Sequence, residues 1–206
     1  APIHAYDRFT ADPATRARLL PGHPAAGEDD RDILPLARAF LRPWAHRVTL
    51  HRGAIETLGW QGVPGGGGPI ALLVIDAAKT DAVADAIAAA FFPALMPGGS
   101  LVVHQDALHW RQPWIVAQMT RLGAAFEPVL HVERDTVVWL CRRPVGTDDL
   151  ARARLAGRDD CELDAALEKA EGPLAPLEIG PRLSDLRAAL RANPGTRSAH
   201  AMHRPR

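Results

Sequence analysis

The sequence predicts an α/β fold: an open sheet of strands alternating with helices, followed by a helical C-terminal tail. Three observations carry that expectation. Ile70–Ile75 is an unbroken run of six apolar residues ending at Asp76, the pattern of a strand buried on both faces. Ser100–His104 repeats the pattern after an alanine-rich helix and a Pro97-Gly98-Gly99 stop, and an acid, Asp106, follows it. Strand, helix and strand in that order make a βαβ crossover, which carries Asp76 and Asp106 to the carboxyl ends of parallel strands. Open α/β sheets hold their ligands there.

The remaining elements fall into place along the chain. Pro2–Tyr6 reads as a short strand ending at Asp7. Asp12-Pro13 has the form of an N-cap with proline in the first turn, starting a helix to about Leu20. Pro21–Gly27 reads as a loop. Asp29, Asp30 and Asp32 precede a helix with Ile33, Leu34, Ala37, Phe40 and Leu41 on one face, stopped by Pro43. Arg47–His51 is the next strand, and Val63–Pro69, with four glycines, is a connection into the strand at 70–75. Asp81 is placed to cap the helix carrying Val83, Ile87, Phe91 and Leu95. Pro113 opens a helix with Ile115, Met119, Leu122 and Phe126 at helical spacing. Pro128–Val132 and Thr136–Leu140 are strands separated by the polar turn Glu133-Arg134-Asp135. Beyond Pro144, Thr147, Asp159 and Ser184 are candidate caps in a tail rich in alanine, arginine and leucine. Asn193-Pro194-Gly195 ends the last helix, and the basic residues after it read as disordered. This divides the chain into an α/β domain over 1–145 and a helical appendage over 146–206.

Bulk properties narrow the function classes. At 47% hydrophobic and 23% charged, the 206 residues have the composition of an ordinary globular protein. The formal net charge is zero, so no global field favours nucleic acid or an anionic membrane. No apolar stretch is long enough for a spanning helix, and no signal peptide is visible. Two cysteines, Cys141 and Cys161, are too few for a disulfide framework, and a reducing cytoplasm is the expected compartment. The chain opens at Ala1 inside a strand, so it reads as a piece of a longer protein.

Several groups invite chemistry, and each has a plainer reading. The glycines at 65–68 precede a strand and are bracketed by prolines, whereas a phosphate loop follows a strand and opens a helix; a plain connection fits better. His104, His109 and His131 lack metal-ligand spacing and read as structural residues. Trp110 and Trp114 read as core packing ahead of ligand stacking. Asp7 has two carboxylate oxygens suited to a ribose diol, with a turn-forming aspartate as the equal alternative. Asp76 and Asp106 form the strongest pair. Two carboxylates converging on one crevice repel unless a divalent cation or a ligand ammonium lies between them. Lys79 can lower the pKa of a bound hydroxyl, or act as a base if desolvated. Taken one by one these residues read as caps and a solvated lysine; together, at successive strand ends, they point to a site.

The order of these pieces resembles a class I S-adenosylmethionine-dependent methyltransferase. The residues that carry the resemblance are Asp7 after one strand, Gly53-Ala54-Ile55-Glu56 after the next, Asp76 after the third, and Met96-Pro97-Gly98-Gly99 before Ser100–Val103. The resemblance covers roughly residues 1–145. It implies a Rossmann-like sheet, mostly parallel with an antiparallel last strand, in which the first strand and its glycine-rich loop are missing. It further implies that Asp7, Gly53, Ala54, Ile55 and Asp76 contact S-adenosylmethionine. Asp76-Ala77-Ala78-Lys79 is similar to the Asp-x-x-Lys segment of catechol- and caffeoyl-CoA-type O-methyltransferases. That likeness implies Asp76 and Asp106 as ligands of Mg2+ and Lys79 as the residue assisting deprotonation. Where those enzymes commonly have Asp-Asn, this chain has Asp106-Ala107.

The function expected on this basis is methyl transfer to a small-molecule hydroxyl, with an upstream domain or a second copy of the chain as protein partner. The enzyme rival is a metal-independent methyltransferase acting on another nucleophile. The non-enzyme rival is a catalytically silent module of a larger carbohydrate- or natural-product-modifying protein. A nicotinamide oxidoreductase fits less well, because no strand-Gly-x-Gly-x-x-Gly-helix unit is present.

Overall fold

The computed structural model describes residues 1–19, 31–60 and 68–205. The loop at 21–27, Asp29, Asp30 and most of the glycine-rich connection at 63–69 lie outside them. The chain divides into two compact units, residues 1–63 and 64–206.

In the first unit, β1 (Ile3–Asp7) pairs in parallel with β2 (Val48–Arg52), Asp7 opposite Arg52. Helices α1 (Pro13–Leu19) and α2 (Leu34–Leu41) lie between these strands in the chain, and α3 (Ile55–Leu58) follows β2. Asp12 caps α1 as expected, accepting from Thr15 N at 2.8 Å. Asp32 accepts from Leu34 N and pairs with Arg52, tying the start of α2 to the end of β2. Among the described residues, Phe9, Leu34 and Leu36 are the buried apolar side chains here.

The second unit holds a four-stranded sheet in the order β3-β4-β6-β5, formed by β3 (Leu72–Ile75), β4 (Leu101–His104), β5 (Phe126–Val132) and β6 (Thr136–Cys141). β3 and β4 are parallel, and β6 opposes both β4 and β5. Helix α4 (Asp81–Phe91) crosses from β3 to β4, and α5 (Pro113–Leu122) from β4 towards β5. Helices α6 (Thr147–Ala153), α7 (Asp160–Leu174) and α8 (Gly180–Ala192) complete the unit. The chain is thus an α/β protein with one two-stranded parallel sheet, one four-stranded mixed sheet and C-terminal helices. β6 is the antiparallel last strand expected from the sequence, and the strands form two sheets, two of their four pairings parallel.

The core of the second unit explains the tail. Every residue of α5 from Pro113 to Met119 is buried, including Trp114, Ile115 and Val116. A helix apolar on all sides needs cover on all sides. α4, α6, α7 and α8 all contact α5. Leu163, Ala166, Leu167, Ala170 and Leu174 recur on α7 at helical spacing and are all buried. Residues 146–206 therefore share the core of β3–β6.

Four local expectations need correction. Thr80 caps α4, its hydroxyl accepting from Val83 N, because Thr80 holds the extended backbone of a cap while Asp81 is already helical. Ser184 lies inside α8, which starts at Gly180 with a proline in its first turn. The 70–75 run is covered on one face only. Leu72 is 57% and Val74 52% exposed, while Leu73 between them is half-buried and Ile75 is buried, so alternate residues of this edge strand face solvent. The terminal residues read as disordered carry instead a set of backbone hydrogen bonds, described below. The Pro97-Gly98-Gly99 turn forms as expected, with Gly98 at φ +72° and its N–H on Cys141 O.

Candidate functional site

β3 and β4 end in register, Ile75 opposite His104, and Gln105 N donates to Ile75 O at 3.0 Å. That alignment places the residues following both strands side by side. Lys79 completes the group: its ammonium donates to Asp76 Oδ1 at 2.9 Å and to Asp106 Oδ2. The side chains of Asp76, Lys79 and Asp106 are 66%, 35% and 25% exposed, so the cluster faces solvent at Asp76 and is sheltered at Asp106.

The electrostatics follow from this geometry. Burial pulls the Lys79 pKa down, but hydrogen bonds to Asp106 and Asp76, and their charges, outweigh it and raise the pKa above the ordinary lysine value. Burial pushes Asp106 up, yet hydrogen bonds from Lys79 and Gln112, with the charges of Lys79 and His109, hold it below the usual carboxylate range. Lys79 is therefore an ammonium at neutral pH. In that state it suits stabilising an oxyanion, and it has no lone pair with which to accept a proton.

Neighbouring elements fix the segments that carry these residues. Trp114, fully buried on α5, donates its indole N–H to Ala78 O at 3.0 Å and so pins the 76–79 segment. Lys79 N donates to Ala77 O within that segment. Thr136 donates its hydroxyl to Gln105 O and Leu108 N donates to Asp135 O, tying the turn after β4 to the β5–β6 hairpin. Gln112 was not singled out from sequence, since an N-terminal glutamine of a helix carries no signal of a contact six residues upstream.

The histidines divide. His131 meets Arg134 O and His109 Nδ1 accepts from Arg111 N, both local structural contacts. His104 is buried under the site against the edge of Trp139, and neither ring nitrogen has a partner among the described residues. Burial, opposed by the charge of Asp106, brings its pKa down to about 3, so its imidazole is neutral.

In the first unit the expected cofactor residues come together at the ends of β1 and β2. Asp7 is exposed, accepts from Phe9 N, and its carbonyl accepts from Gly53 N at 3.0 Å. Gly53 has φ +155°, and a Cβ there would press on Leu58 at 3.1 Å. Ala54 follows in extended conformation and Ile55 starts α3. Glycine at this position thus makes room for the Leu58 side chain, and the Asp7 carboxylate beside the turn is exposed.

The fit to a divalent metal is different. Lys79 Nζ already lies between the two proposed ligand carboxylates, and no group of three or more ligating His, Cys, Asp or Glu side chains occurs among the described residues. The donor set does not fit Mg2+ at Asp76 and Asp106. Among the described residues, no helix is long and apolar enough to cross a membrane. Comparisons with family models, with curated proteins and with solved structures return no match for this chain.

Proposed function

We propose that this chain is the greater part of a class I S-adenosylmethionine-dependent methyltransferase domain whose parent protein methylates a hydroxyl of a small molecule. The observation that carries the reading is the Lys79 ammonium held between Asp76 and Asp106 at the carboxyl ends of two adjacent parallel strands. The strand order β3-β4-β6-β5 with β6 reversed, and the separate parallel pair β1-β2, support it. So does the exposed apolar face of β3, since parallel strands of this composition are normally covered on both faces. The reading places a further strand beside β3.

Within the first unit, Asp7, Gly53, Ala54 and Ile55 would hold the ribose and adenine. When bound, S-adenosylmethionine supplies a methyl group on a sulfonium, open to in-line displacement. The acceptor hydroxyl lies within reach of Lys79, whose fixed charge lowers the hydroxyl pKa and stabilises the developing oxyanion. Lys79 would keep its own proton, and the acceptor proton would pass to solvent water on the exposed Asp76 side. The remaining contribution is alignment and exclusion of water. No step requires a metal.

Methyl transfer by the intact protein to a panel of catechols and simple phenols tests this. Asp76→Ala abolishes turnover, and Lys79→Met lowers kcat by 10- to 1,000-fold, on the order expected for a lost oxyanion donor, with cofactor affinity nearly unchanged. Equal losses in both parameters refute the role given to Lys79. One observation favours a catalytically silent module instead: both acids are already satisfied by Lys79. Absence of transfer despite cofactor binding selects that reading.

A further inference from the structure

We propose that the C-terminal segment Thr196–His203 is a backbone strap that positions Lys79 and so belongs to the candidate site, an inference that rests on reading Asp76, Lys79 and Asp106 as that site. Lys79 sits in a non-helical segment between β3 and α4, with only its ammonium held by the acids. Its main chain is held from the tail. Ala199 N donates to Lys79 O at 2.8 Å, Asp81 N donates to Arg197 O at 3.4 Å, and Thr80 and Ser198 form an antiparallel bridge between them. With Trp114 holding Ala78 O from α5, the backbone at Lys79 is gripped from two directions.

The strap is itself anchored at both ends. The Arg197 guanidinium pairs with Asp160 at 2.7 Å and donates to Arg158 O at 3.1 Å, which fastens the tail to the start of α7. Asp160 also accepts from Gly195 N. At the far end the Asn193 side chain makes a reciprocal pair with the backbone of His203, Nδ2 donating to its O at 2.8 Å and Oδ1 accepting from its N at 2.7 Å. Ala199 and Met202 are buried between these anchors. A polar tail without apolar periodicity is thus ordered by side-chain-to-backbone bonds at Asn193 and Arg197. Those bonds fix where the Lys79 backbone, and hence its ammonium, can lie. Arg197 and Asn193 are positioning residues, acting on the site through Lys79.

The chain contains two lysines, Lys79 and Lys169, so lysine labelled with 13C at Cε gives two side-chain signals, assigned with Lys169→Arg. In the unaltered chain the Lys79 signal titrates above the ordinary value, and the Ala199 amide is protected from exchange. Arg197→Ala and Asn193→Ala lower the Lys79 midpoint and speed Ala199 exchange by about tenfold or more. Arg191→Ala, which removes an exposed contact to Asp164 on the same helical pair, leaves both unchanged. If Asn193→Ala does not fold, Arg197→Ala carries the test alone. Loss of Ala199 protection with an unmoved Lys79 midpoint overturns the proposal, as does an unprotected Ala199 amide in the unaltered chain. No cofactor or acceptor enters this measurement, so its failure and a failed methyl-transfer assay are separate results.

Discussion

Replacing Lys79 with methionine keeps the length of the side chain and removes its charge, which leaves Asp106 sheltered beside Asp76 with no cation between them. The two limbs of the cluster differ in weight. The contact to Asp76 is largely solvated and contributes under about 1 kcal/mol. The charged hydrogen bond to Asp106 lies where three quarters of the carboxylate is covered, and such bonds contribute about 1.5–3 kcal/mol. Discounting for the partial exposure of Lys79 itself, the variant loses about 2 kcal/mol at neutral pH. The pH dependence is the sharper test. Asp106 titrates below its ordinary 3.8 in the folded chain, so its share is present above 3.8 and disappears as pH falls through the folded value. Lys79 titrates above its ordinary 10.5, so its share is present below 10.5 and disappears as pH rises through the folded value. The stability gap between the unaltered chain and Lys79→Met is therefore widest between about pH 5 and 9 and closes at both ends. Urea unfolding followed by tryptophan fluorescence from about pH 3 to about pH 11, beyond both ends of that plateau, measures it. Adding Asp106→Asn to Lys79→Met recovers part of the loss, because the orphaned charge is gone. A gap of zero, or one that stays constant with pH, refutes the ion-pair geometry.

Three further outcomes follow from other parts of the molecule. Asp85 on α4 accepts from Leu155 N, Ala156 N and Gln118 Nε2, so Asp85→Ala orphans several donors and costs about 1–3 kcal/mol, while Asp85→Asn costs less; urea midpoints separate them. Leu167, fully buried on α7, costs about 2–5 kcal/mol on Leu167→Ala, and the loss appears in the exchange protection of α5 amides because both helices share one core. His4 Nδ1 meets His51 Nε2 at 2.9 Å with the rings nearly parallel, and Tyr6 stacks on His51. Burial first, then the charge of His4, lowers the His51 pKa, so the first unit loses stability as pH falls below 6.5 and His51→Gln flattens that dependence. Exchange rates of β1 and β2 amides between pH 5 and 8 report it.

The alternation of strands and helices was legible because each element carries its own period and its own punctuation: the apolar run at 70–75, the turn at 97–99, the prolines at 13 and 113. The meeting of Asp76, Lys79 and Asp106 was legible for the same reason, since a βαβ crossover dictates which strand ends are neighbours. The placement of β6 between β4 and β5 was not, because strand adjacency is decided by tertiary contacts that no local pattern encodes. The strap was misread for a related reason. Its order comes from main-chain groups of Lys79, Asp81 and Ala199, and those are invisible in a sequence whose side chains there are small or basic. A legible clue to the packed tail was Trp114–Met119, too apolar for a helix with one solvated face. The protonation state of Lys79 was not legible, because its pKa depends on both acids approaching the same ammonium.

The most direct test of the methyltransferase reading is calorimetric titration of S-adenosylhomocysteine into this chain and into a version extended upstream, each with magnesium and with a chelator. The account predicts binding by the extended protein, weak or no binding by the chain alone, no change on chelation, and loss of binding on Asp7→Ala. Silence from both proteins, or binding that needs magnesium, contradicts it.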